Sequence, residues 1–273
     1  MLFWLLASCT PVTPVPTAVV ESTPAAAPTQ PPTPTVLPTD PCAGRMLPIR
    51  SALAPFDATT AAADNMDHLL ALACTFEVTD PLQASQFAQE AASRPDSPAA
   101  AHFLLARTLA RVRVDHGRIC DTGAYSSVIL DQLLLAAAEP GYAAAAENPV
   151  FAEFRTNVRY RVATGRPYKG PGALAAIAEG LEIYAPAAGV YGSQERLTLA
   201  PGGLLQRQVL AFDENGMPTR VSKDLPKGWS VDGESLVIDT GGGPVHVSIT
   251  PDFRFVTPTG DLLWVDSDSE CEA

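Results

Sequence analysis

The 273-residue chain carries 18 Lys and Arg against 30 Asp and Glu, which gives a formal net charge of −12 and a sequence pI of about 4.7. Because binding to nucleic acids and to anionic membrane surfaces depends on Lys and Arg, this acidic balance argues against both as electrostatic partners. The length suffices for one large or two small domains.

A short apolar stretch, residues 2–6, overlaps the sequence Leu6-Ala7-Ser8-Cys9. An aliphatic residue, two small residues and a cysteine resemble the lipobox of bacterial lipoproteins, which implies that Cys9 carries lipid and becomes the mature N-terminus. The resemblance implies a membrane anchor and an extracytoplasmic location in the cell envelope. Because no Lys or Arg precedes the apolar stretch, as a secretory signal requires, we interpret the start codon as lying a few residues too late. The alternative is a cytosolic protein with an apolar N-terminus.

Residues 10–41 form a segment with ten prolines and eight threonines. Because proline removes backbone donors and fixes φ, this composition predicts an extended, disordered linker rather than a packed element. At about 3.1 Å per residue, such a linker reaches on the order of 100 Å. We expect it to hold the folded part of the chain away from the membrane.

Four cysteines remain when Cys9 is set aside, namely Cys42, Cys74, Cys120 and Cys271. None forms a C-x-x-C pair, so a zinc ribbon is not predicted. In an exported protein an even set predicts two disulfides, and four cysteines allow three connectivities that sequence alone does not distinguish. Our preferred pairing joins Cys74 to Cys120 and Cys42 to Cys271. In a cytosolic protein all four would be free thiols.

Helical patterns dominate the region from about residue 47 to residue 164. Helix-start signals, a capping residue followed by proline, occur at Asp80-Pro81, Ser97-Pro98 and Asn148-Pro149. The predicted helices cover residues 57–74, 82–92, 98–114, 126–138 and 142–147. One more is predicted after Pro149, with Phe151, Phe154 and Val158 buried. A further short, alanine-rich helix is predicted over 172–184.

The helix at 82–92 and its successor resemble tetratricopeptide-like repeats. Phe87 and Pro95 stand eight residues apart, and Leu104 follows in the next helix. The resemblance implies a helical-repeat domain, although Asp121 stands where a second copy would place its phenylalanine. An irregular helical bundle is the alternative.

Arginines are concentrated in the helical region. Arg107 and Arg111, and likewise Arg155 and Arg159, stand four residues apart, a spacing that places each pair on one helix face. These four residues are candidate contacts for an anionic ligand or an acidic partner. The alternative is a solvated helix face balanced by nearby carboxylates.

The hydrophobic period changes to two after Pro186. Apolar residues alternate with polar ones at Leu197/Leu199, Trp229/Val231, Leu236/Ile238, Val245/Val247/Ile249, Phe253/Phe255 and Leu262/Trp264. Turn signals such as Asn215-Gly216 and Asp232-Gly233 separate these short runs, which predicts an antiparallel meander, sandwich or small barrel.

The fold class is therefore α+β, and four segments are predicted. They are a lipoprotein signal (1–9), a disordered linker (10–41), an α-helical domain (42–170) and an antiparallel β-domain with a leading short helix (171–273).

The succession of short strands and turns in residues 189–265 resembles the small lipocalin-like barrels of other bacterial lipoproteins. Gly189-Val190-Tyr191 stands at the expected opening, and Gly228-Trp229 enters a strand. The resemblance implies a barrel with room for side chains or one small ligand. Aromatic residues of this region would either line such a pocket or fill the core.

Motifs for catalysis do not emerge from the sequence. Residues 228–233 lack the G-x-S-x-G spacing and the helix of a nucleophile elbow, and His102 and His116 belong to no metal-binding pair. We predict no catalytic residue, no metal site and no cofactor. His246 alternates with two valines and is expected to face solvent.

These observations favour a membrane-anchored lipoprotein that acts as a non-catalytic binding or scaffolding module. Its expected partner is a protein or an envelope polymer. One alternative is a small-ligand carrier that uses a cavity in the β-domain, which a closed barrel with a vacant apolar interior would favour. A second is a hydrolase without recognisable motifs, which a cleft converging on His102 or His116 with two carboxylates would favour.

Overall fold

The computed structural model describes residues 39–48, 54–116, 119–186 and 195–267, apart from the side chains of 116, 119, 120 and 218. The lipobox with Cys9, nearly all of the predicted linker, Tyr191 and Cys271 lie outside the described residues. Predictions made for them stay predictions.

Short helices make up the first half of the described chain. They are α1 (Ala58–Ala63), α2 (Met66–Phe76), α3 (Pro81–Ala92), α4 (Ala99–His116), α5 (Ile119–Thr122), α6 (Ser126–Ala136), α7 (Pro140–Ala145), α8 (Val158–Ala163) and α9 (Ala173–Ala178), with a 3₁₀ turn at Pro149–Phe154. The predicted start at Asp80 is confirmed, since its carboxylate accepts a hydrogen bond from the backbone N–H of Gln83 at 3.0 Å.

Two predicted helices have the wrong extent. The helix expected over 57–74 is divided at Asp64 and Asn65, because the Asn65 side chain accepts a hydrogen bond from the His68 N–H and starts a new helix. The helix expected over 172–184 ends at Ala178, and Gly180 follows with a φ of 76°. The left-handed conformation at Gly180 turns the chain into a strand instead.

Helix α4 lies at the centre of the helical core. Its residues Ala101, Leu104 and Ala110 are fully buried. Phe103 on the same helix stacks on Tyr142 at 5.2 Å between ring centroids and meets the edge of Phe151 at 5.9 Å. The predicted burial of Phe151, Phe154 and Val158 is confirmed.

Eight antiparallel strands form a closed barrel in the second half of the chain. They are β1 (Glu182–Tyr184), β2 (Glu195–Leu199), β3 (Leu204–Phe212), β4 (Pro218–Asp232), β5 (Ser235–Ile238), β6 (Val245–Ile249), β7 (Arg254–Val256) and β8 (Leu262–Val265). Pairing of Tyr184 with Val265 joins β1 to β8 and closes the sheet. The predicted class, α+β with a small antiparallel barrel, is confirmed.

Large apolar side chains occupy the barrel interior. The predicted alternation is confirmed at Leu197, Leu199, Leu236, Ile238, Val247 and Phe255, which are buried. It fails at Val245 and Leu262, which are exposed. Leu174 and Ile177 of α9 belong to the same hydrophobic cluster, so this helix covers the barrel core. Phe253 lies in a turn at a φ of 60° and still packs in the barrel cluster, whereas Phe212 is exposed and does not fill the core.

The described residues all belong to one compact unit. Val158 of α8 packs with the barrel cluster, and Leu134 of α6 lies against both hydrophobic clusters. The domain boundary expected between residues 170 and 171 stays a prediction.

Candidate functional site

A polar cleft of about 270 Å³ lies where the helices meet the outer face of the barrel. This junction cleft is lined by residues from α4, the start of α6, the 3₁₀ turn and the residues that follow it, strands β1, β2 and β4, and the segment after β8. They are Arg113, Ser126, Glu153, Phe154, Thr156, Asn157, Glu182, Tyr184, Arg196, Arg220, Asp266 and Ser267.

The helical wall of the junction cleft is built around Arg113. Its guanidinium donates two hydrogen bonds to the Glu153 carboxylate, at 2.8 and 3.2 Å, and a third to the carbonyl of Ala124 at 3.0 Å. The same group lies over the ring of Phe154, 5.6 Å from its centroid. Bidentate pairing orients both side chains and leaves the half-exposed Glu153 carboxylate at the cleft surface.

Glu182 organises the barrel wall. Because Ile183 points into the barrel, its neighbours Glu182 and Tyr184 point outward toward the helices. One carboxylate oxygen of Glu182 accepts from the Tyr184 hydroxyl at 3.1 Å, from Arg196 at 3.2 Å and from the Thr156 hydroxyl at 3.3 Å.

Tyr184 and Arg196 of this wall are partly buried. Burial, with the neighbouring Glu182 carboxylate, raises the pKa of Tyr184 to about 12. Arg196 also donates to the amide oxygen of Gln208, and its buried Nε has no partner among the described residues.

An ion-pair network beneath the junction cleft fastens the helices to the C-terminal end of the barrel. Arg159 donates to the Asp266 carboxylate at 2.6 and 2.9 Å and to Asp131 at 2.6 Å. Arg159 is 8% exposed and Asp266 is 3% exposed. The Asn157 side chain donates to the backbone carbonyl of Asp266.

Burial shifts the titration of this pair. It raises the pKa of the Asp266 carboxyl, and the Arg159 guanidinium opposes that rise. Burial alone would lower the pKa of Arg159, but the carboxylates of Asp266 and Asp131 hold it above its ordinary value. Such a pair fixes orientation more than it adds stability, because desolvation offsets much of the attraction.

The four arginines proposed as partner contacts do not converge on one site. Arg107 and Arg111 both pair with the buried carboxylate of Glu77, at 2.6 and 3.0 Å. Arg159 belongs to the network just described, and Arg155 is exposed at the end of the 3₁₀ turn. Three of the four therefore bind carboxylates within the chain.

The structure joins Cys42 to Cys74, with their Cα atoms 5.4 Å apart. The preferred pairings of Cys74 with Cys120 and of Cys42 with Cys271 are therefore wrong. The physical reason is tertiary: the turn that carries Cys42 lies against α2, where Leu47 donates its N–H to the Thr75 hydroxyl. The side chain of Cys120 and all of Cys271 lie outside the described residues.

Sequence reasoning missed the barrel wall of the junction cleft. Glu182 and Tyr184 were assigned to a helix, and strand β3, which carries Gln208, was not predicted. A usable signal existed, since Glu182-Ile183-Tyr184 alternates polar and apolar residues after a glycine. Arg113 lies in the arginine-rich part of the predicted helical region, and nothing in its local sequence indicates a cleft.

The hydrogen-bond partners of His102 are uncharged, and the side chain of His116 lies outside the described residues. The ring nitrogens of His102 contact the Ser97 hydroxyl and the Gln132 side-chain oxygen, each at 2.7 Å, rather than two carboxylates. His246 is exposed, as predicted. Across the described ranges, no three His, Cys, Asp or Glu side chains are grouped to hold a metal ion. No helix in those ranges is long and apolar enough to cross a bilayer.

No protein-family model matches the chain, and comparisons with curated proteins and with solved structures found no match. A function is therefore inferred from the geometry of the chain itself.

Proposed function

We propose that this protein is a membrane-anchored, extracytoplasmic lipoprotein that acts as a non-catalytic binding or scaffolding module, with the junction cleft as its binding site. The observation that carries the proposal is the construction of the cleft. Both of its walls are held in place by internal ion pairs and hydrogen bonds, which is the preorganisation that binding sites require.

The charges of the junction cleft favour an uncharged, hydroxyl-rich ligand. Three arginines (Arg113, Arg196 and Arg220) are matched by three carboxylates (Glu153, Glu182 and Asp266). An anion would meet the carboxylates and a cation the guanidinium groups. Hydroxyl groups both donate and accept, so they suit walls on which donors and acceptors alternate. Among the partners considered from the sequence, an envelope glycan polymer fits this chemistry.

The barrel interior offers less support for the carrier alternative. Its core positions are taken by Leu197, Leu236, Phe255 and their neighbours, all fully buried. Covalent lipid on Cys9 would provide the membrane attachment, which needs two acyl chains to be stable.

Ligand binding tests the site. Isothermal titration of the full chain with soluble envelope glycan fragments is expected to show binding that Arg196→Gln weakens at least tenfold. The matched control is Arg254→Gln, because Arg254 is a half-exposed arginine paired with Asp252 at 2.9 Å and lies outside the residues that line the cleft. Equal loss in both variants, or no binding by the unmodified chain, contradicts the site.

The anchor is tested separately. Cells that express the protein are labelled with a fatty-acid probe, and the unmodified chain is compared with Cys9→Ala. We expect label and membrane association only with Cys9 present. An unlabelled protein with an intact N-terminus would overturn the lipoprotein assignment and leave the cleft untouched.

A further inference from the structure

Ser97, His102 and Gln132 form a hydrogen-bonded series of side chains in the helical half of the molecule. The Ser97 hydroxyl lies 2.7 Å from Nε2 of His102, and Nδ1 of the same ring lies 2.7 Å from the side-chain oxygen of Gln132. None of the three lines the junction cleft. A hydroxyl, an imidazole and a hydrogen-bond acceptor in this order are the arrangement that activates a serine as a nucleophile.

Helix α4 brings the imidazole to the hydroxyl. Ser97 lies two residues before α4 begins, and His102 is the fourth residue of the helix. Helical side chains point back toward the N-terminus, so the imidazole reaches over the first turn to the serine. The sequence predicts a helix start at Ser97-Pro98, and the structure adds the contact between that hydroxyl and His102.

Gln132 determines which nitrogen of the ring faces the serine. Its side-chain oxygen is an acceptor, so the ring proton lies on Nδ1 of His102 and Nε2 keeps a free lone pair. The Ser97 hydroxyl then donates to Nε2, which is the direction that removal of its proton requires. Gln132 is carried by α6, where its neighbours Leu130 and Leu133 are buried.

We propose that Ser97 is a catalytic nucleophile, His102 its general base and Gln132 a positioning residue, in the hydrolysis of small carboxylic esters. The binding role proposed for the junction cleft needs no chemistry, so this activity goes beyond it and is independent of it. The hydrolase alternative from the sequence asks for two carboxylates beside His102, whereas the structure places a hydroxyl and an amide there. That hydroxyl supplies a nucleophile.

The reaction has two steps, and His102 carries a proton in each. Ser97 Oγ attacks the carbonyl carbon of the ester while its proton passes to Nε2 of His102. The bond between that carbon and the alcohol oxygen then breaks, and the leaving alcohol takes the proton from Nε2. Water attacks the acyl-serine in the same way and releases the carboxylic acid. One ester and one water therefore give one acid and one alcohol.

The start of α4 suits the negative charge that develops on the ester carbonyl oxygen. The first N–H groups of a helix have no acceptor within it, and those of Ala99 and Ala100 follow closely after Ser97 in the chain. Such groups stabilise an anion at a helix N-terminus. They are therefore the donors that we assign to the tetrahedral intermediate.

The surroundings of the serine determine the class of ester. Ser97 and His102 are only partly buried, so the site suits small acyl groups rather than long chains that need a deep pocket. Gln132 orients the imidazole but, as a neutral amide, stabilises an imidazolium less than a carboxylate does. We therefore expect reaction with esters whose alcohol is a good leaving group, such as aryl esters.

Labelling with a fluorophosphonate tests the nucleophile. The probe bonds its phosphorus to an activated serine oxygen and releases fluoride, so the natural ester need not be known. In the full chain we expect label on Ser97, located by peptide mass spectrometry, and a labelling rate that falls roughly 100-fold in His102→Gln. Ser97→Ala is expected to abolish the label.

The matched control for the label is Ser93→Ala. Ser93 is also near the start of α4 in sequence, but it is exposed and its hydroxyl donates to the Glu90 carbonyl at 2.9 Å. This variant should label at the rate of the unmodified chain. An unlabelled chain, label on another serine, or equal loss in Ser97→Ala and Ser93→Ala overturns the proposal.

Hydrolysis of p-nitrophenyl acetate tests turnover and the role of Gln132. Because free thiols also react with this ester, the rate of Ser97→Ala is subtracted from every other rate. We expect Gln132→Leu, which lacks an acceptor, to lower the remaining rate about tenfold or more. Gln132→Glu keeps an acceptor and adds a negative charge beside the imidazolium, so its rate should equal or exceed that of the unmodified chain.

The two glutamine variants separate orientation of the histidine from support of the fold. A glutamine with a purely structural role would give a similar loss in Gln132→Leu and Gln132→Glu. That result contradicts the role of Gln132, and an unmodified chain no faster than Ser97→Ala contradicts the hydrolysis itself.

Discussion

Glu182 shows how one side chain can organise a site that charge counting does not reveal. Its carboxylate oxygen accepts from Tyr184, Arg196 and Thr156, which lie on two strands and on the segment that leads into α8. The Tyr184 phenol is thereby kept protonated in a largely buried position. Burial and the nearby negative charge both oppose its ionisation.

The titration of Tyr184 predicts a loss of stability at alkaline pH. A phenol whose pKa is raised in the folded state, here from 10.0 to about 12, keeps its proton longer than in the unfolded state. Its contribution is present below pH 10 and is lost as pH rises through this window, by up to roughly 3 kcal/mol. Urea unfolding at several pH values should show this loss in the unmodified chain but not in Tyr184→Phe. Parallel pH profiles for the two proteins would contradict it.

At the scale of elements, hydrogen bonds to backbone carbonyls help to determine where a helix ends and a strand begins. Helix α9 ends where Arg161 donates to the carbonyls of Ile177 and Glu179, which satisfies groups that a helix C-terminus leaves open. Leu181 then enters the barrel core. Gly180 is the local signal for this stop, whereas the arginine that satisfies the open carbonyls lies 16 to 18 residues earlier and could not be assigned that role from the sequence.

Just before β3 begins, the backbone of Gly203 passes very close to Gly228 of β4, and this corner depends on that close approach. A Cβ added to Gly228 would lie 1.9 Å from the carbonyl oxygen of Gly203. Only a glycine fits there, and the register shift between Leu204 and Gln206 falls at the same corner.

We expect Gly228→Ala to lower the free energy of unfolding by about 3 kcal/mol or more, because backbone must move to relieve the contact. The matched control is Gly242→Ala, since a Cβ at Gly242 meets nothing within 4 Å and its φ is not in the left-handed region. Chemical denaturation of the two variants checks the difference. Similar denaturation midpoints for Gly228→Ala and Gly242→Ala would show that the backbone at this corner can move at little cost.

At the scale of the whole molecule, the barrel interior and the junction cleft have different roles. The barrel interior carries packing, whereas the junction cleft carries the polar groups that remain accessible. The Arg159–Asp266 pair connects α8 with the segment after β8, so the two halves share one set of buried charges.

The filled interior predicts that the native protein does not take up apolar probes. Phe255→Ala should open a cavity in the barrel, cost about 3–5 kcal/mol of stability and create binding of a small apolar fluorophore. The exposed Met217→Ala is the control and should change neither property. Fluorescence titration and thermal unfolding measure both effects. Uptake of the probe by the unmodified chain would revive the carrier alternative.

Sequence by itself determined the elements whose signals are local. The start at Asp80-Pro81, the burial of Phe151 and the alternation of Leu197 with Leu199 follow from capping, periodicity and pleat. The class α+β followed from the change of hydrophobic period after residue 186.

Tertiary structure alone decided which distant groups meet. Pairing of Cys42 with Cys74, the shared Glu77 between Arg107 and Arg111, and the closure of β1 on β8 each join residues far apart in sequence. The junction cleft belongs to the same class, because its walls come from chain segments up to about 150 residues apart. Composition and spacing carry local preferences only, whereas these contacts depend on how the helices and the barrel pack together.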